Sequence, residues 1–312
     1  MINTRAEAFA PATVANMGVG FDILGFAVAG AGDTVIAEWQ DDPTITIVDI
    51  EGDNGKLPRD PAKNVASISA NALLQQLGVT RGVKLWIKKG LPLASGLGSS
   101  AASAVAGAVA VNALLGEPLT REQLLPASLE GEAAVSGYHA DNVAPCLFGG
   151  ITLTNGVEAH KIKRLPVPSN FYLAFVTPDV EVPTAQARAV LPPMVSLKQM
   201  VHQTGGVAEL VDAIYRNDVV AMAHAMESDG IIEPARAHLM PHLADIRAVA
   251  KQHGALALVI SGAGPTLCAV CDNETTAKVV ADAMHTCYAQ HSMPSMTRHG
   301  KVPSQGASVI VN

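Results

Sequence analysis

Leu91-Pro-Leu-Ala-Ser-Gly-Leu-Gly-Ser-Ser-Ala-Ala102 is the most informative stretch of the chain. Gly96 and Gly98 allow backbone angles that other residues resist, and they let a ligand approach the main chain closely. Ser99 and Ser100 are suited to capping a helix start, and the small-residue run from Ser99 to Leu115, closed by Gly116, reads as that helix. A glycine-rich turn opening onto a helix N-terminus presents free N–H groups and the positive end of a dipole, which makes an anion site suited to phosphate. Lys88 and Lys89, just upstream, add local positive charge. No Gly-Lys-Ser/Thr ends the loop and no Gly-x-Gly-x-x-Gly is completed, so it is neither a Walker A loop nor a dinucleotide fingerprint. A plain helix cap needs one Gly and one Ser, whereas the six residues Gly96–Ala101 supply two of each.

The rest of the chain reads as mixed strands and helices, an α+β or α/β pattern. Before the loop come extended stretches at Thr4–Ala10, Thr34–Trp39 and Thr44–Ile50, a helix over Asn64–Leu77 closed by Gly78, and a strand at Gly82–Lys88 with period-two alternation. A helix follows over Arg121–Val135. The pair Pro166 and Pro168 marks a boundary near residue 165, dividing the chain into residues 1–165 and 166–312. Beyond it the pattern predicts a strand at Phe171–Thr177 and several helices between Thr184 and His253. A strand at Leu256–Ile260, a Gly-rich turn, a further strand, a helix over Glu274–Gln290 and a terminal extended stretch complete it.

Composition bounds the function. The 312 residues are 49% apolar and 16% charged, which excludes a disordered chain, and aromatics are only 4%, so the core is built from Ala, Val, Leu and Ile. A net charge of −7 gives no footprint for nucleic acid or an anionic membrane, and any anionic ligand must be met locally. Met1 to Phe9 carries no signal-peptide core, and Ser100–Gly116 is too short and weakly apolar to span a bilayer, so a cytoplasmic location is expected. Cys268 and Cys271 form a C-x-x-C within an apparent strand, where positions three apart face opposite sides, so core packing is favoured over metal or redox work. His238 and His242 are four apart, but Pro241 between them argues against a paired metal face.

Three motifs in order, covering nearly the whole chain, resemble those of the GHMP kinases. They are Pro11-Ala-Thr-Val-Ala-Asn16 with Gly18-Val-Gly-Phe-Asp22, the loop quoted above, and Ser261-Gly-Ala-Gly-Pro-Thr266. The resemblance implies a two-domain α+β fold. Its N-terminal domain holds a left-handed β-α-β unit, its C-terminal domain is a ferredoxin-like α/β sandwich, and ATP lies at their junction. For ATP it implies Asn64 and Val65 at the adenine, Pro92, Ser95, Gly96, Leu97, Gly98, Ser99, Ser100 and Ala101 at the phosphates, and Gly262 and Gly264 of the third motif. It also implies Mg2+ held by Ser99 and a helix glutamate. Glu132, four residues before Ser136-Gly137, fits better than Glu130, although only Tyr138 separates Gly137 from His139 where the family usually has two residues.

Four local signatures resemble the branch that phosphorylates L-homoserine: Asn16 with Gly-Phe-Asp22, His139-Ala-Asp-Asn-Val-Ala-Pro145, Thr184-Ala-Gln-Ala-Arg188 and Glu233-Pro-Ala-Arg236. The residue chemistry suits a zwitterion, whose carboxylate wants a guanidinium from Arg188 or Arg236 and whose ammonium wants oxygen from Asp22, Asn16 or Asp141. His139 joins this substrate set. Each residue also has an ordinary reading: Arg188 and Arg236 as surface ion-pair partners, Asp22 as a turn cap, His139 as a satisfied buried histidine, Asn64 as a helix N-cap. Related kinases of the superfamily use an Asp as base, so the resemblance offers Asp141 as the nearest candidate and Thr184 as a donor to the transferring phosphate, but a loose transition state permits direct attack without a dedicated base. A kinase for another small alcohol would leave Asp22 and Asp141 uncompensated. A non-catalytic nucleotide-binding regulator would be expected to lack Glu132 or the Gly/Ser loop. The resemblance further implies a homodimer.

Overall fold

The computed structural model describes residues 3–311; Met1, Ile2 and Asn312, and with them the start of the segment read for targeting, lie outside the described residues. The N-terminal half contributes strands β1 (Arg5–Ala15), β2 (Leu24–Gln40), β3 (Ile45–Glu51), β4 (Gly82–Lys88), β5 (Ile151–Thr154) and β6 (Ile162–Leu165), with helices α1 (Val65–Gln76), α2 (Ser99–Leu114), α3 (Arg121–Ser136) and α4 (Ala140–Phe148). The C-terminal half contributes strand β7 (Tyr172–Pro178) and helices α5 (Thr184–Ala189), α6 (Leu197–Tyr215), α7 (Val219–Met226), α8 (Ile232–Arg236) and α9 (Leu243–Gln252). Strands β8 (Ala257–Ile260) and β9 (Leu267–Cys271), helix α10 (Glu274–Gln290) and strands β10 (Ser295–Lys301) and β11 (Ser308–Ile310) complete the chain.

Two sheets result. The first runs β11-β1-β2-β4-β3, with β5 and β6 continuing from β2. Here β3 and β4 are parallel neighbours joined through α1. The second is fully antiparallel in the order β10-β7-β9-β8. Read along the C-terminal half, that order is fourth, first, third, second, the ferredoxin-like arrangement. The last strand departs from the division at 165: β11 returns to pair with β1, Glu7 opposite Ile310.

Several expectations are extended. β1 continues past Pro11 to Ala15, because the register with β2 shifts between Pro11 and Ala12 and a bulge tolerates a missing donor. β2 is 17 residues long and takes in Gly25, Gly30 and Gly32, residues that mask a strand pattern. Helix α4, nine residues long with Pro145 inside it, is an addition to the helices expected from sequence.

A continuous apolar core joins the first sheet, α2 and one face of the second sheet. A second core lies between the other face of the second sheet and helices α9 and α10. β9 divides them: Cys268 belongs to the first core and Cys271 to the second, and both thiols are free and buried. No helix among the described residues is long and apolar enough to cross a membrane.

Candidate active site

The three motifs meet through backbone and side-chain hydrogen bonds. Thr13 N–H donates to Leu97 O at 3.0 Å, and Thr266 N–H to Ser95 O at 3.1 Å. The Ser261 hydroxyl donates to Gly96 O at 2.7 Å, while the Asn16 amide donates to Gly262 O at 2.9 Å. Gly98, the residue before α2, has φ 65°, and a Cβ there would strike the Thr13 side chain, so glycine is required both by conformation and by space. Around this junction opens a cavity of about 340 Å³.

One wall of the cavity is the phosphate-type loop. Ser95, Gly96, Gly98, Ser99 and Ser100 line it, with Gly262 opposite. The serines do not cap α2, as the sequence suggests. Gly98 takes that position without a side-chain bond, which leaves both hydroxyls for other work. Ser100 donates to Glu132 Oε1 at 3.0 Å. Ser99 Oγ and Glu132 Oε2 are buried without any hydrogen-bond partner. Burial pushes the Glu132 carboxyl up to about 7, against the counteracting hydrogen bond from Ser100. Glu130 instead lies at the surface, hydrogen-bonded to the Tyr138 hydroxyl.

Charge is concentrated at the other end. Arg188 grips Asp22 with two parallel bonds, Nη1 to Oδ2 at 3.0 Å and Nη2 to Oδ1 at 2.8 Å. The Phe21 ring packs under both guanidinium groups, with its centroid 5.4 Å from Arg188 and 5.2 Å from Arg236. Arg236 is buried rather than at the surface. Its Nε donates to Ala187 O and its Nη1 to Gly262 O, both at 3.0 Å. Asp229 fixes the helix that carries it, accepting the N–H groups of Ile231, Ile232 and Glu233. His139 Nδ1 lies 3.8 Å from Asp22 Oδ2, and burial, then the Arg188 charge, lowers its pKa. Asp141 is buried in the first turn of α4, where desolvation, then the Asp22 charge, raises its pKa to about 7.

Comparison with known proteins gives the family. The GHMP kinases N terminal domain model matches residues 64–150, and the GHMP kinases C terminal model matches residues 210–290. Homoserine kinase of Arabidopsis thaliana is 45% identical over 89% of this chain and 77% of its own length. Homoserine kinase of Chlorobium phaeobacteroides strain BS1 is 38% identical over 97% of this chain and 98% of its own. The crystal structure of homoserine kinase from Cytophaga hutchinsonii superposes with a TM-score of 0.95 at 42% identity, covering 99% of this chain and 98% of that one. The chain belongs to the homoserine kinase family of the GHMP kinases. Lactococcus lactis galactokinase complexed with galactose, at 15% identity and TM-score 0.71 over 98% of this chain and 95% of that one, shares the fold alone.

In this GHMP kinase the cavity gathers Asn16, Asp22, His139, Asp141, Arg188 and Arg236 on one side, with Thr184 at the start of α5 and Val65 at the start of α1. The remaining residues expected at ATP stand outside the lining. Asn64 caps α1, its carbonyl accepting from Ala66 N–H and its amide donating to Pro58 O, so both ends of the side chain are occupied. Leu97 and Ala101 are buried in the core, Pro92 lines a neighbouring cavity, and Gly264 packs against Met240. Asn16 also spends its side chain on the chain itself, accepting from Asp22 N–H at 3.1 Å, so it shapes the turn that presents Asp22.

Lys88 points to solvent. Lys89 is buried with Asp33 in an ion pair, and its ammonium also donates to Ser99 O at 2.9 Å and Ser103 Oγ at 2.8 Å. Asp33 in turn accepts from Gly90 N–H and from Ser103. The charge next to the loop is therefore neutralised in place and tied to the first turns of α2. Phe21, Asp33 and Ser103 were missed from sequence. Phe21 sits inside the first motif beside Asp22, but nothing local links Asp33 to a lysine just past the end of another strand.

Proposed function

We propose that this chain transfers the γ-phosphoryl group of ATP to the side-chain hydroxyl of L-homoserine, giving O-phospho-L-homoserine and ADP. The Arg188–Asp22 fork carries this reading. A guanidinium and a carboxylate held against each other in a cavity wall are the two partners a bound zwitterion needs. Substrate carboxylate would take over Arg188, with Arg236 behind it on the same Phe21 ring, and substrate ammonium would take over Asp22, with Asp141 beside it. A substrate without the ammonium would open the fork and leave Asp22 unpaired. The names of the similar proteins support the same substrate.

The free N–H groups at the start of α2 would face the phosphates across Gly96 and Gly98. Ser99 Oγ and Glu132 Oε2, buried and unpartnered, form an all-oxygen donor pair that fits Mg2+. Bound there, Mg2+ would neutralise charge on the β- and γ-phosphate oxygens. Positioned in line, the homoserine hydroxyl oxygen forms a new bond to the γ-phosphorus as the bond to the β,γ-bridging oxygen breaks, and ADP departs with the electron pair. The hydroxyl proton leaves late, to a phosphoryl oxygen, and Thr184 donates to the transferring group. Asp141 serves the ammonium, whose positive charge holds it ionised.

ADP release with MgATP and a panel of L-homoserine, L-threonine, L-serine, mevalonate and galactose tests the assignment. Turnover confined to L-homoserine and lost in Arg236→Ala and Glu132→Ala is expected; turnover with mevalonate or galactose would overturn the zwitterion site. Asp141→Asn separates its two roles: a substrate holder raises the homoserine KM with a modest kcat change, whereas a general base leaves KM and removes on the order of 100-fold or more from kcat. We also propose a homodimer working in the cytoplasm, for which light scattering on the purified protein should return twice the chain mass.

A further inference from the structure

Away from the cavity, three ligand-type side chains converge at the packed ends of two helices. His242 stands immediately before α9, Asp245 lies in the first turn of that helix, and His291 immediately follows α10. Asp245 Oδ2 is 3.7 Å from His242 Nδ1 and 3.3 Å from His291 Nε2. All three donor atoms fall within 4.8 Å of one another. A tetrahedral ion with bonds of about 2.0 to 2.1 Å separates its ligand atoms by about 3.3 Å. Two edges of a coordination face therefore already stand near the required length.

The two imidazole rings stack, with centroids 3.7 Å apart and planes 13° from parallel, and both bring a nitrogen toward the same carboxylate oxygen. In this stacked pose the two in-plane lone pairs run side by side, so binding one ion requires at least one ring to turn out of the stack about its Cβ–Cγ bond. The anchors are firm: Tyr288 in α10 donates its hydroxyl to Pro241 O at 3.0 Å and meets the His242 ring edge-on. His242 itself sits at φ 54°, a left-handed conformation that a residue with a Cβ adopts only under strain. The three side chains are 33%, 58% and 36% exposed, so an ion reaches them without any opening of the core.

We propose that His242, Asp245 and His291 form a binding site for a borderline transition-metal dication of the Zn2+ class, completed by water, that clamps the start of α9 to the end of α10. The imidazole-rich donor set discriminates against Mg2+, which takes oxygen ligands, so this site is chemically distinct from the Ser99–Glu132 pair. It also lies on the segment that follows Arg236, through Met240, which packs against Gly264 of the third motif. An ion here would brace that segment from behind.

Calorimetric titration of the full chain with Zn2+, without nucleotide and with excess Mg2+ to occupy the oxygen site, tests this. One equivalent is expected to bind, with affinity falling by about tenfold or more in His291→Gln and in Asp245→Asn. Co2+ should give the visible absorption of a four-coordinate ion in the wild type and not in His291→Gln. Phosphoryl transfer by His291→Gln without Zn2+ should match the wild type, showing that the variant is folded. The absence of saturable Zn2+ binding, or binding unchanged by His291→Gln and Asp245→Asn, would overturn the proposal.

Discussion

Glu132 and Asp141 are two buried carboxyls whose folded pKa values, about 7 for each, stand above those of the unfolded chain. The folded form therefore retains protons that the unfolded form has released. Stability of the ligand-free protein should fall as pH rises from about 4 to about 7 and stay reduced above that. Glu132→Gln removes one of these charges. Its Tm should exceed the wild-type value at about pH 8 by roughly 3 °C or more, match it at about pH 4, and no longer respond to Mg2+; thermal melts at both pH values check this. In the wild type, protons and Mg2+ compete for Glu132, so apparent Mg2+ affinity should weaken as pH drops below about 7. Arg188 answers to geometry more than charge. Lysine retains the positive charge but loses the two-bond grip on a carboxylate, so Arg188→Lys should raise the homoserine KM about 10- to 100-fold while kcat changes less, measurable in steady-state assays.

Between elements, the buried Lys89–Asp33 pair links the end of β4 to β2 and to the first turn of α2. Removing one partner strands the other charge, at a cost of about 3 to 5 kcal/mol. Lys89→Met should therefore lower Tm and weaken ATP together, because the Ser99 carbonyl loses its anchor, and Asp33→Leu in the same chain should recover much of the stability without recovering ATP affinity. Chemical denaturation beside ATP titration separates the two. This pair also marks the limit of what local pattern reveals. The Gly/Ser loop was legible because its chemistry is contiguous in sequence, and α10 was legible to the residue because Asn273 caps it and no breaker interrupts it. Asp33 lies in a strand rich in glycine, 56 positions from its lysine. Asn64 carried both a ligand and a cap reading, and the structure shows its polar atoms bonded within the chain.

For the molecule as a whole, the return of β11 is the feature that hydrophobic pattern alone did not locate. Only pairing with β1 gives this short stretch a place, and Ala307 N–H bonds Cys146 O at 2.8 Å just before it. Truncation after Lys301 should expose the edge of β1 and lower Tm, read directly in a melt. The other whole-molecule feature is β9, whose two faces belong to different cores. Cys146 and Cys268 lie in one core, and Cys271 and Cys287 in the other. The protein thus carries built-in reporters of which core opens first. Under native conditions a thiol-reactive reagent, followed residue by residue by mass spectrometry, should label the two pairs at separate rates if the cores breathe independently, and at one common rate if the shared strand forces them to open together.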